Sequence, residues 1–372
     1  MRVLHAEPGG DEAAELLELD RRIERFWQAG AVLAELGPFA ADLSLERGCG
    51  EDGRPLSLLR STEPSARPLI ERVLARVPAE LAPRFAALQP RLGLEQALAQ
   101  VRARSGVDLT RATARAGFSR GHLLDVSLFV PGGRGPSDEP AARELVRALV
   151  GESVWRDWIG EVRTAPVPRG LLRVLDNAAA DERSFPLAEL CPAVDAAVRG
   201  VHDGLAAEPW WADEREREYI VFELAVEPAE DYAAQDDVAL VSTCAPEMLH
   251  CFLRAAPFSS LRFSRHGELF AYLKYRAPGR DLAQAVEQRD RLEHTLDAAL
   301  AQARAGRVVG RGMGLAYVYL DLALSDLHAA LSVLRAQDGA LPRDSWLLFC
   351  DSHLGEEWIA VHDGAPVPPG MS

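Results

Sequence analysis

Lysine is almost missing from this chain. Of 41 basic residues only Lys274 is a lysine, and the others are arginine. A phosphate loop ending in Gly-Lys-Ser/Thr therefore cannot be built, nor can the usual kinase lysine set. Any Schiff-base chemistry would have to fall to Lys274. The arginine bias itself fits a GC-rich bacterial genome. Cysteine is scarce as well. Cys49, Cys191, Cys244, Cys251 and Cys350 are odd in number and form no spaced framework. They read as reduced thiols of a cytoplasmic protein. No Cys-x-x-Cys, His-x-x-x-His or His-Glu-x-x-His occurs, so no metal and no cofactor is expected.

Long apolar runs are lacking too. No stretch approaches the ~18 residues of a membrane span, and the first ten residues have no signal-peptide core. A soluble, cytoplasmic protein is expected. Positive charge is also short, with a net charge of −15. Phosphate-rich partners need a concentrated basic surface, so neither nucleic acid nor an anionic membrane is expected as partner.

What is present suits a globular protein of two or three domains. The chain has 372 residues, 48% of them hydrophobic and 26% charged, a mixture that can bury more than one core. Leu16, Leu19, Ile23, Phe26 and Trp27 keep the three-and-four spacing of a helix face. Two further helical stretches run through Leu69–Val77 and Leu94–Val101. Residues 1–92 are therefore read as a helical N-terminal region. Beyond them the pattern becomes period two, as in Val126, Leu128 and Val130. Residues 93–212 are read as a first α+β module and residues 213–372 as a second, with antiparallel sheets carrying helices on one face.

One tripeptide occurs twice. Phe118-Ser119-Arg120 and Phe263-Ser264-Arg265 lie 145 residues apart, and each opens an alternating apolar run. This suggests a strand–helix–strand–strand unit used twice. It also makes Ser119, Arg120 and His122, with Ser264, Arg265 and His266, candidate binding residues, because arginine at a strand mouth can grip a carboxylate or phosphate. The bland alternative is a pair of exposed turns capped by serine.

Cys350 and His353 are the candidate catalytic pair. Three residues apart, they need a turn between them to form a thiolate–imidazole couple. His250 and Cys251 are adjacent on a helix and diverge, so Cys251 reads as a packed thiol. Gly310-Arg-Gly-Met-Gly314 fails the dinucleotide context, and its glycines point instead to a bulge or close backbone approach. Trp210 and Trp211 read as a plug in the seam between the halves. Lys274, alternating with Tyr272 and Phe270, is either a lone functional amine on an aromatic sheet face or, as is commoner, a surface lysine on a strand.

The functional expectation is a binding protein without catalytic chemistry of its own. It would recognise a small ligand or a protein partner, basic and of the immunity type, given the acid excess. The alternative is a small-substrate hydrolase or transferase using Cys350 with His353 or a Ser-Arg-His corner.

Overall fold

The computed structural model describes residues 11–50, 53–61, 63, 66–133, 135–166, 184–213, 217–253, 255–277, 282–337 and 339–371. Helices and sheets of mixed type give an α+β protein. The chain forms two compact units. One holds residues 23–62 and 70–204, the other residues 1–22, 63–69 and 205–372.

The first unit begins within α1 (Asp11–Gln28). Leu19, Ile23, Phe26 and Trp27 are buried on this helix, as the spacing predicts. The Trp27 indole N–H donates to the Val73 carbonyl at 3.1 Å, on α2 (Arg67–Leu74). Residues 1–92 are not wholly helical, however. β1 (Leu43–Cys49) and β2 (Pro55–Ser61) form an antiparallel hairpin, and the short β3 (Phe85–Ala86) pairs with β2 in parallel. Both strands of the hairpin are half-exposed, so their burial does not alternate cleanly.

A four-stranded sheet follows in the order β6-β5-β4-β7, built from β4 (Thr113–Phe118), β5 (Leu124–Val130), β6 (Ile159–Pro166) and β7 (Phe185–Pro186). β5 alternates strictly, with Leu124, Val126, Leu128 and Val130 buried. That face packs on α3 (Leu94–Ser105), α4 (Glu139–Val150) and α6 (Leu190–Gly204) through Val101, Leu145, Val146, Leu149 and Val194. α5 (Glu152–Trp158) leads from α4 into β6.

The second unit is organised by a seven-stranded sheet, antiparallel throughout. Its order is β14-β13-β10-β12-β11-β9-β8. The strands are β8 (Ile220–Glu223), β9 (Val238–Thr243), β10 (Leu269–Arg276), β11 (Gly306–Gly314), β12 (Tyr317–Leu324), β13 (Ser345–Phe349) and β14 (Trp358–Ala360). The glycine run Gly310–Gly314 lies within β11. On one face lie α8 (Leu282–Gln302) and α9 (Leu327–Arg335). Leu292, Leu296 and Leu300, one helical turn apart, meet Leu273, Leu320 and Leu322 there. Asp297 of α8 accepts from the Arg307 side chain and from the Val308 N–H, at 2.8 and 2.9 Å, and so pins the helix to β11. The opposite face carries the short α7 (Pro246–Leu253) and the aromatic residues that build the site below.

The two Phe-Ser-Arg segments both lead into central strands but differ around them. The first is the turn of the β4–β5 hairpin, and β5 then pairs with β6 in parallel. The second follows a 3-10 turn, and β10 has antiparallel partners on both sides. The repeat is one of local sequence; a duplicated unit is not shown.

Candidate functional site

Two rungs of side chains cross the aromatic face of the large sheet. In the first, Thr243, Gly310, Asp321, Tyr272, Leu348 and Trp358 stand in register across β9, β11, β12, β10, β13 and β14. In the second, Val241, Gly312, Tyr319, Lys274, Trp346 and Ala360 do the same. Residues opposite one another on adjacent strands share a face, so polar and aromatic groups are gathered into one layer.

Glycine makes that layer possible. A Cβ on Gly310 would stand 2.5 Å from Oδ2 of Asp321, and one on Gly314 would stand 2.2 Å from Oδ2 of Asp237. Both distances lie inside van der Waals contact, so β11 has its backbone where any other residue would evict a carboxylate. The close-approach reading of the Gly-x-Gly-x-Gly run holds, and a register shift between Val308 and Gly310 adds the expected bulge.

Lys274 is not a surface lysine. It is fully buried, with its ammonium donating to the Tyr232 carbonyl at 2.6 Å and lying 4.2 Å from the Tyr317 ring centroid. β10 is covered on both sides, so the face opposite the helices is interior as well. Burial draws this amine down to about 8, while Asp237, Asp231 and Asp236 pull the other way. Asp237 is buried too, and it accepts from the Ala316 and Tyr317 N–H groups at 2.7 and 2.9 Å and from the Tyr319 hydroxyl. The Tyr317 hydroxyl donates to Asp231 at 2.7 Å. These bonds satisfy the buried charges.

Beside this network opens a cavity of 380 Å³. α7 supplies one wall with Met248, Leu249, Phe252 and Leu253, spaced to share a helix face. Leu224, Val238, Val241 and Phe349 add apolar surface, while Gln235, Asp236, Tyr272, Asp321 and Cys350 bring the polar groups. Gln235 Nε2 donates to Oδ1 of Asp321 at 3.2 Å. Burial raises the Asp321 carboxyl to about 6 against the pull of that bond. Oδ2 of Asp321 and the hydroxyl of Tyr272, a residue 4% exposed, have no hydrogen-bond partner among the described residues.

The residues singled out from the sequence are dispersed. Cys350 lines the cavity, but its thiol is pushed well above the usual range, by burial first and then by Asp321 and Asp351. An activated nucleophile needs the reverse. The His353 ring instead stands 3.4 Å from an Arg67 guanidinium nitrogen. Between the two, Asp351 accepts from the Ser260 N–H at 2.9 Å and Ser352 Oγ from the Phe258 N–H at 2.8 Å. The Cys-Asp-Ser-His motif thus moors a loop.

At the first arginine corner, the Ser119 N–H and Oγ both donate to the Leu123 carbonyl, at 2.7 and 3.2 Å, and Arg120 is exposed beside His122. At the second, Ser264 is buried and donates to Glu268, whose other oxygen accepts from the Trp210 N–H at 2.8 Å. Arg265 and His266 are exposed, with the His266 Nε2 3.0 Å from the Ala207 carbonyl. Each serine therefore serves its own turn. Trp210 packs edge-on to Phe270 with ring centroids 6.3 Å apart, and Trp211 stacks under Arg304. Both rings are engaged inside the second unit.

Sequence reasoning missed Asp321, Asp237 and Gln235. One signal existed: Tyr317-Val-Tyr-Leu-Asp321 alternates polar and aliphatic residues opposite a glycine-alternating neighbour. Comparison with known proteins adds nothing to this geometry, since no family model, no curated protein and no solved structure matches the chain.

Proposed function

We propose that this chain is a binding protein without catalytic chemistry of its own, and that its second unit takes a small, largely apolar ligand in the cavity between α7 and the sheet. The supporting observation concerns Oδ2 of Asp321 and the hydroxyl of Tyr272, residues that face each other across β12 and β10. Both are unpartnered among the described residues, and both lie on the lining of an otherwise apolar cavity. Small-molecule sites have this composition: apolar walls, a few converging polar groups, and volumes of about 300–1,000 Å³. Buried polar groups left without a partner carry a desolvation cost that a ligand's own hydrogen bonds relieve.

The test is direct binding of the neutral dye Nile red, read by its fluorescence. Wild-type protein is expected to bind it, and Leu249→Trp, which fills the α7 wall, to lose that binding at unchanged thermal stability. Binding untouched by the substitution overturns the cavity as the site. The absence of catalysis is checked separately with iodoacetamide at neutral pH. Cys350 is expected to react no faster than an ordinary thiol, and rapid modification would instead favour a cysteine enzyme.

A further inference from the structure

The charge balance of the lining narrows the ligand. Asp236 and Asp321 contribute two carboxyls, while no lysine, arginine or histidine is among the lining residues. Cations near the site are committed elsewhere: Lys274 is held by the Tyr232 carbonyl, and Arg276 donates to the Tyr317 hydroxyl at 3.0 Å. Asp236 is exposed, whereas Asp321 is half-buried and tethered through Oδ1, with Oδ2 unpartnered among the described residues. Tyr272 is more than nine-tenths buried and brings a π face together with an unpartnered hydroxyl, and Phe252 adds a second ring. A carboxylate among aromatic faces suits an organic cation, because each ring attracts positive charge and the carboxylate accepts its N–H groups. An anionic ligand would meet only like charge and no donor stronger than an amide or hydroxyl.

We propose that the ligand is an amine with an aromatic or aliphatic body, bound as the ammonium to Oδ2 of Asp321 with its apolar part against α7. This rests on the cavity being the binding site, and the two ideas fail in different ways.

The experiment compares three probes of one skeleton by calorimetry at pH 7.5: 2-phenylethylamine, 2-phenylethanol and phenylacetate. The amine is expected to bind about tenfold or more tighter than the alcohol, as a charge-assisted hydrogen bond should provide, with phenylacetate weakest. Asp321→Asn retains an acceptor for Gln235 and is expected to bind amine and alcohol alike. The amine preference in wild type should also grow from pH 5 to pH 7.5 as Asp321 ionises. The other ionisable groups on the lining are Tyr272 on β10, Cys350 just after β13 and Asp236 before β9, and α7 contributes none. Tyr272 and Cys350 are both raised by burial and stay neutral over that range.

Equal binding of amine and alcohol by wild type, still abolished by Leu249→Trp, overturns the amine and leaves the cavity standing. An amine preference that survives Asp321→Asn overturns the assignment to that carboxylate. Failure of all three probes and of Nile red overturns both ideas together.

Discussion

The two faces of the seven-stranded sheet are built from the same strands and solve different problems. One face is aliphatic: Leu273, Leu320, Leu322 and Leu347 meet α8 and α9 in a dry layer, as leucine-rich ridges do. The other face carries Tyr272, Lys274, Tyr317, Tyr319 and Trp346, with Asp237 and Asp321 among them. Because side chains alternate along a strand, a shift of one residue in register would exchange the two faces completely. The aliphatic face tolerates changes that conserve volume. The polar face does not, since each of its charges depends on particular partners. One side is thus held by packed volume and the other by specific polar partners.

The largest contrast should come from deleting one group on each face. Asp237→Ala is expected to cost about 4 kcal/mol, because it strands two backbone N–H groups, the Tyr319 hydroxyl and the charge on Lys274. Leu296→Ala on the aliphatic side is expected to cost about 3 kcal/mol through the cavity it leaves. Urea unfolding measures both. The comparison breaks if Asp237→Ala proves the milder of the two.

A smaller effect sharpens the role of β11. Gly310→Ala places a Cβ against Asp321 and is expected to cost about 2 kcal/mol by overpacking. In an Asp321→Ala background the same change should cost at least about 1 kcal/mol less, a coupling that a double-mutant cycle resolves. Additive effects would mean that Gly310 is required for something other than room.

The smallest effect is a pH dependence confined to the polar face. The Asp321 carboxyl titrates at about 6 in the folded protein and at about 4 in an unfolded chain. The folded state therefore holds this proton more tightly. Its contribution to stability is greatest below pH ~4 and is lost as pH rises through about 6. Relative to wild type, Asp321→Asn should gain stability between pH 4.5 and pH 7. A flat difference between the two curves would show that the carboxyl is not desolvated.

Much of the architecture was legible from periodicity. The helix faces at Leu19–Trp27, the alternation of β5 and the strands β8 to β10 follow directly from apolar spacing, because burial of one face is a local pattern. The β1–β2 hairpin escaped because half-exposed strands leave little alternation to read. Lys274 escaped for a different reason. A lysine between aromatic residues looks the same on a surface strand as on a strand covered on both sides, and only the second layer of α7 and its neighbouring loops makes it interior.

The chain alone settled the α+β class, the excess of acid over base, the near-replacement of lysine by arginine and the alternating glycines of β11. Those features depend on composition and on neighbours along the backbone. The tertiary structure decided that Asp321, Tyr272, Gln235 and Cys350 share one cavity. Such groupings depend on strand register and on which layer covers which face, and they join residues up to 115 positions apart in sequence.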